Sequence, residues 1–266
     1  MENGTTSLSR ACRTCDTFIY RRTLSGQIDA DRADYLLRDS YHTGVSYGHY
    51  DIDRLLVTIG IGIDEADGGG IIVIDKGGMH VAEGLIIARY MMFSQVYFHR
   101  TRRIYDYHIG KVMNELLKES QNGDDRFPPP TSKEYIQNYL QWTDWKVLGE
   151  IEKNRGGEHA KIISERKHFR CVHETSESPT DEEVLKIDNI YNALGKMVRY
   201  ADNSCKTTIY KLANDIQIQH TDNNERCLKP LSMESLVVKN LKPTGQIRIY
   251  VSIEDQEEAK RIIAKA

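Results

Sequence analysis

Three side chains near the start of the chain are spaced for a single helix face. Asp31, Tyr35 and Asp39 stand at i, i+4 and i+8, and Arg32 and Arg38 flank them. A carboxylate able to ligate a cation, a phenol and a second carboxylate along one face suit a metal-assisted phosphate site. The plainer reading of the same pattern is a charged helix face turned to water. A second stretch repeats the spacing with Arg89, Phe93 and Tyr97, followed by His99 and Arg100. A guanidinium can grip phosphate oxygens with its fork of N–H groups. A tyrosine can stack on a sugar or base, or donate to a phosphate. The plainer reading here is that Arg and Tyr snorkel outward from a helix core.

The elements that must carry these residues are legible from pattern. Residues 28–43 read as a helix capped by Asp29, with Asp31 in the first turn and Gly44 as the stop. Ala33, Leu36, Leu37 and Tyr41 supply its buried stripe. A short helix follows at Asp51–Thr58, with Ile52, Leu55, Leu56 and Ile59 turned inward. Val57–Ile63 and Ile71–Asp75 flank the turn-like Asp64–Gly70 and predict a hairpin. Gly60-Ile-Gly62 lacks the remaining glycine and the helix start of a phosphate loop. From Met79 to Ser120 the pattern is helical, as two helices or one bent one. Val81, Leu85, Ala88, Met92 and Val96 form one stripe, and Ile104, Ile109, Val112, Leu116 and Leu117 continue it.

Composition changes at Gln121–Arg126, and Phe127 leads into Pro128-Pro129-Pro130, the clearest linker in the chain. Thr131 with Glu134 predicts a capping box opening a helix through Tyr135, Tyr139, Trp142 and Trp145. Thr180 with Glu183 predicts another before Val184–Tyr200. Ile216–His220 and Gln246–Val251 alternate like strands, and Glu254–Ala264 reads as a closing helix.

Bulk properties exclude several classes. The chain has 266 residues, 39% hydrophobic and 28% charged, with a net charge of −3, the profile of a globular protein and not of a nucleic-acid binder recruited by bulk charge. No apolar run reaches membrane-spanning length, and the N-terminus has no secretory pattern. Five scattered cysteines make no disulfide framework, so a cytoplasmic setting with reduced thiols is expected. Cys12-Arg-Thr-Cys15 is half a zinc-site pattern inside a polar leader, and no second CxxC completes it.

Taken together, Ile28 through Asp39, Tyr41-His-Thr-Gly44, Asp51-Ile-Asp-Arg-Leu-Leu56, Glu83 through Arg89-Tyr-Met-Met, and Gln95-Val-Tyr-Phe-His99 resemble the deoxynucleoside triphosphate triphosphohydrolases of the HD superfamily in order and spacing. Further on, Pro230-Leu-Ser232, Ser235 and Arg248-Ile-Tyr-Val251 are similar to the tail of bacterial members. The resemblance implies a divalent metal (Mn, Mg, Fe or Zn) and a water that attacks the α-phosphorus, releasing triphosphate and a deoxynucleoside. It implies Asp31 as a metal ligand. Arg32, Tyr35, Asp39, Arg89 and Tyr97 then take substrate-contacting positions, and His99 and Arg100 the positions at which regulated members bind an activating nucleotide.

One half of that pattern has no counterpart. The family's remaining ligands, a His and a His-Asp pair, precede the Asp-Ala-Asp-Arg segment, whereas all nine histidines here follow Asp31 and none is followed by Asp. One carboxylate does not hold a catalytic metal by itself. The expectation is therefore a chain inactive alone, whose partners are deoxynucleotides and a homo-oligomer or a complementary HD-containing chain, with no membrane or nucleic acid indicated. A catalytically dead nucleotide-binding, oligomerisation or regulatory module is the alternative. The fold expected is mainly α: a polar leader at 1–22, a partial HD-type helical core with a β-hairpin insertion at 23–122, and an accessory α+β region at 123–266. Exposed apolar surface is expected where further helices of such a core would pack.

Overall fold

The computed structural model describes residues 26–63, 68–120, 123–127, 131–207, 209–222 and 225–265, the side chains of 204–207 excepted. The chain is mainly helical, with two small sheets. It divides into two compact units, and neither is continuous: one takes residues 1–96 and 207–244, the other 97–206 and 245–266. The boundary expected at 122/123 thus falls inside the second unit. The triple proline lies outside the described residues, as do the leader with Cys12 and Cys15 and the hairpin tip at 64–67.

In the first unit, α1 (Ala30–Thr43) begins at Asp29, whose carboxylate accepts the Arg32 amide at 2.7 Å. It ends where Gly44 turns left-handed (φ +69°) and returns its N–H to the Ser40 and Tyr41 carbonyls. Helix α2 (Ile52–Thr58), capped by Asp51, runs into β1 (Ile59–Ile63). The antiparallel partner of β1 is β2 (Gly70–Asp75), in the register Ile61↔Ile72. Only Leu55 and Thr58 of α2 are buried. Leu56 and Ile59, expected inside, are exposed because the helix gives way to an edge strand whose Ile59, Ile61 and Ile63 all face outward. The chain returns much later as β5 (Gln217–Asp222) and β6 (Glu225–Pro230), giving the order β1-β2-β5-β6. Strand β5 lies parallel to β2, and β6 antiparallel to β5. Helix α3 (Met79–Met92) packs on α1, α2 and β2 and buries Ala82, Leu85, Ile86, Ala88 and Met92.

After α3 the backbone widens into a π-helical segment, Phe93–Tyr97, a distortion that often accompanies functional sites. The second unit is built on α4 (Arg100–Ser120). Here Ile109 is 43% exposed and His108 is fully buried in its place, so the inward face is set one residue earlier than the apolar stripe suggested. Ser132, not Thr131, caps α5 (Lys133–Leu140). That helix stops before Trp142, and Trp145 lies in the next one, α6 (Asp144–Glu152), where it is 83% exposed. Helix α7 (Gly157–Ser164) lies close on α4. A Cβ at Gly156 (φ +91°) would meet Val112 at 2.7 Å, so glycine is needed for both the approach and the turn. Val112, Leu116, Ile151 and Ala160 form the core there.

The second sheet orders β3 (Arg170–Glu174), β7 (Thr244–Val251) and β4 (Val198–Thr207) as β3-β7-β4. Helix α8 (Asp181–Leu194) opens on the predicted Thr180/Glu183 capping box. It ends at Leu194 and not Tyr200, because Gly195 breaks it and Tyr200 passes into β4. Ile187, Ile190 and Leu194 of α8 pack with Ile249 and Val251 of β7 and with Ala259 of α11 (Gln256–Ile263). Two single-turn helices, α9 (Leu231–Glu234) and α10 (Leu236–Lys239), belong to the first unit. No described helix is long and apolar enough to cross a membrane.

Candidate functional site

Helix α1 and helix α3 bring Tyr35 and Arg89 into contact, with the Arg89 guanidinium donating to the Tyr35 hydroxyl. Its Nη1 donates 2.6 Å to the Ile209 carbonyl, and its charged carbon sits 5.4 Å from the Phe93 ring centre. Nε of Arg89 is buried with no acceptor among the described residues. A buried N–H left unmade is costly, and on a guanidinium it is a donor available to an anionic ligand. Burial pulls the Arg89 pKa down, and the nearby Arg32 adds to that pull. Burial pushes the Tyr35 phenol up, against the lowering effect of Arg89 and then Arg32, with Asp29 and Asp31 pushing it further up. Two arginines, a phenol and two carboxylates therefore share one electrostatic neighbourhood.

Within it Arg32 is already engaged. Its Nε lies 3.6 Å from Asp29, and its Nη1 donates to the carbonyls of Gly26 (2.5 Å) and Gln27 (3.1 Å). It ties the entry turn to the helix. Asp31 is exposed in the first turn. Asp39, two turns on, is about one-third exposed and 3.7 Å from Arg38. Tyr97 closes the π-helical segment and belongs to the second unit, where Arg102 lies 6.0 Å from its ring and donates to its carbonyl at 2.7 Å. Of the predicted substrate-contacting set, Tyr35 and Arg89 are joined within the first unit beside Arg32, with Asp31 in the same electrostatic neighbourhood. Sequence reasoning missed the Ile209 carbonyl and Tyr50, whose hydroxyl donates 2.9 Å to the Ala33 carbonyl and braces α1. Neither has a local signal, because the partners lie far apart in the chain.

The second unit holds a cleft of about 390 Å³. Arg100 and Thr101 at the start of α4 line it with His168, Arg170, Cys171 and Lys260. Among the described residues that line it, three are cations and none is a carboxylate, so it is suited to an anion. Arg100 is 3.8 Å from Glu174. His99 stands at the head of α4, where its Nδ1 accepts the Thr101 amide at 3.3 Å. His168, Arg170 and Lys260 are a further set that spacing could not have found. Among the described residues, no group of three or more His, Cys, Asp or Glu side chains gathers as a metal site.

The family model described as "HD associated region" matches residues 51–263. The uncharacterized protein YwfO of Bacillus subtilis is 46% identical over 100 residues, which are 38% of this chain and 22% of that one. An uncharacterized protein of Methanocaldococcus jannaschii is 45% identical over 98 residues, 37% of this chain and 21% of that one. The crystal structure of a hypothetical protein from Aquifex aeolicus is 28% identical with a TM-score of 0.71, covering 91% of this chain and 59% of that chain. A phosphohydrolase structure from Bacteroides thetaiotaomicron has a TM-score of 0.63 at 21% identity, covering 87% and 63%. The chain thus spans about a fifth of these curated relatives (22% and 21%) and about three-fifths of these solved ones (59% and 63%).

Proposed function

The chain belongs to the HD-associated region family, and from that premise we propose that it serves a phosphohydrolase of the dNTP triphosphohydrolase type, in which it supplies the substrate-phosphate side of the site. The observation that carries this reading is the Tyr35–Arg89 pair with the buried Nε of Arg89, which has no acceptor among the described residues. A guanidinium held on one side by a carbonyl and a phenol, with a donor to spare, is pre-oriented for a phosphate oxygen. In this reading Tyr35 orients Arg89 and offers its own O–H to the same group, while Asp39 accepts from the sugar. Asp31 holds negative charge at the head of the helix.

The divalent metal that such chemistry uses does not fit the described residues alone. Asp31 is a single exposed carboxylate with no second and third ligand gathered around it. No step is therefore assigned to a metal on this chain, and the remaining ligands are proposed to come from a complementary HD-containing segment or chain. The test is dGTP binding by calorimetry, comparing the wild type with Arg89→Ala. Weakening by tenfold or more supports the reading, and equal affinity removes Arg89 from the site.

The basic cleft of the second unit favours a further role, as a regulatory nucleotide-binding module, with Arg100 as one of its phosphate contacts and His99 holding the start of α4. Arg100→Glu should then abolish an effect of added nucleotide on thermal stability that Arg89→Ala leaves in place.

A further inference from the structure

Beneath the basic cleft lies a pair of histidines that no reading above uses. His108 of α4 is fully buried, and its Nδ1 is 2.7 Å from Nδ1 of His159 on α7. Two ring nitrogens at that distance share one proton, so one ring donates and the other accepts. The arrangement fixes which does which. Nε2 of His108 accepts the backbone N–H of Phe169 at 3.4 Å, so that nitrogen carries no proton. A neutral His108 therefore bears its proton on Nδ1 and donates it to His159, whose own proton sits on Nε2.

We propose that His108 and His159 form a proton-operated latch between α4, α7 and the wall of the basic cleft, closed while both rings are neutral and released when either takes up a second proton. A proton added to His159 goes to Nδ1 and sets two N–H groups face to face. A proton added to His108 goes to Nε2 and confronts the Phe169 N–H. Either event breaks a hydrogen bond of the chain, and Phe169 itself lines the cleft. The aromatic packing around the pair leaves little room to reorganise: Tyr107 and Phe169 meet both rings edge-on, and Tyr200 of β4 stacks on Tyr107 at 4.2 Å.

The charged surroundings are mixed. His168, in the loop before β3, disfavours protonation of His108, as does His159 itself. Lys111 of α4 disfavours protonation of His159, while Glu158 of α7 and Glu115 of α4 favour it. Burial is the largest influence on both rings and holds each below the ordinary histidine range, His108 at about 4.

The test is selective ¹⁵N labelling of histidine and phenylalanine, with NMR titration of the whole chain from pH 8 to pH 4. At pH 7 the expected signals are an Nδ1–H tautomer for His108 and an Nε2–H tautomer for His159, with the Phe169 amide losing its hydrogen-bonded shift as the first ring charges. His159→Asn leaves an amide oxygen close to the Nδ1 position but nothing to titrate there, so loss of the Phe169 signal should then follow the charging of His108 alone, in a single step. An Nε2–H tautomer of His108 at pH 7 would overturn the proposal, and so would a Phe169 amide indifferent to either ring charging. Should the variant fail to fold, the tautomer reading on the wild type still decides.

Discussion

The hydroxyl of Tyr35 receives a hydrogen bond from Arg89, 54 residues on in the chain (89 − 35), and the pair joins α1 to α3. The same guanidinium is anchored at 2.6 Å to the Ile209 carbonyl. One guanidinium thus ties α1 and α3 to the segment around Ile209 that precedes β5.

Tyr35→Phe deletes the acceptor and leaves a buried guanidinium N–H unmade. The expected loss is about 1–3 kcal/mol in urea unfolding, with substrate affinity falling as Arg89 loses its orientation. A double-mutant cycle with Arg89→Met should give a coupling of about 0.5 kcal/mol or more. Additive effects would mean that the two residues do not act as a pair.

Two ion pairs in this chain make a direct contrast. Asp202 is fully buried and meets Arg103 at 3.1 Å, whereas Asp34 and Arg38 on α1 pair at 2.6 Å with both side chains more than half exposed. Asp202→Ala takes the buried acceptor away from Arg103, which keeps Asp106 at 3.3 Å, and from the Tyr200 hydroxyl, and is expected to cost about 1–3 kcal/mol. Asp34→Ala is expected to cost no more than about 0.5 kcal/mol. Equal losses in chemical denaturation would show that burial does not separate them.

Much of the first unit was legible because its signals are local. Asp29 as cap, Gly44 as stop and the strands on either side of residues 64–67 follow from short-range chemistry, and the structure places them where pattern did. The Thr180/Glu183 capping box is a further case. What failed was long-range. Leu56 and Ile109 have the right hydropathy for burial, but the elements that would cover them are not the ones that pack there. Strands β3, β4 and β6 carry polar sequences, Arg-Cys-Val-His-Glu for β3, that become strands only by pairing with distant partners. The cleft residue Arg170 is placed by that same pairing, whereas Lys260 comes from α11, the helix that follows β7.

Stability should depend on pH through His108. Its pKa is pushed down to about 4 by burial, from an unfolded value of 6.5. Between those values the unfolded chain binds more protons than the folded one, so stability rises with pH across that window. It is fully present above 6.5 and lost as pH falls toward 4, by an amount on the order of 2–3 kcal/mol. A melting temperature that stays level from pH 7 to pH 4.5 would contradict this. The depressed pKa of His159 pulls in the same direction.

The cysteines should react unequally. Burial pushes the Cys171 thiol up to about 12, and its Sγ donates to the His173 carbonyl at 3.4 Å. At pH 8 only about one molecule in ten thousand would then carry the thiolate that alkylates. Cys227 is exposed on β6. Peptide mapping after brief iodoacetamide treatment should find Cys227 modified and Cys171 untouched, and early labelling at Cys171 would show that its strand opens readily.

The sharpest test of the proposed function is the difference between neighbouring carboxylates of α1. The isolated chain is expected to release no triphosphate from dGTP with Mn²⁺ or Mg²⁺, and turnover is expected only after a segment carrying the missing histidines is added. In that reconstituted system Asp31→Asn should abolish activity if Asp31 is the carboxylate that this chain would contribute to a divalent-metal site, because the amide would no longer help to hold the dication's charge. The controls have defined jobs elsewhere. Asp29 caps the helix and pairs with Arg32, and Asn can still cap. Asp34 is spent on Arg38 in an exposed pair, about 300° around the helix from Asp31. Asp29→Asn and Asp34→Asn should therefore keep most of the turnover. Equal loss in all three would assign the effect to charge balance or folding and remove Asp31 from the metal, and robust triphosphate release by the unassisted chain would remove the need for a second segment.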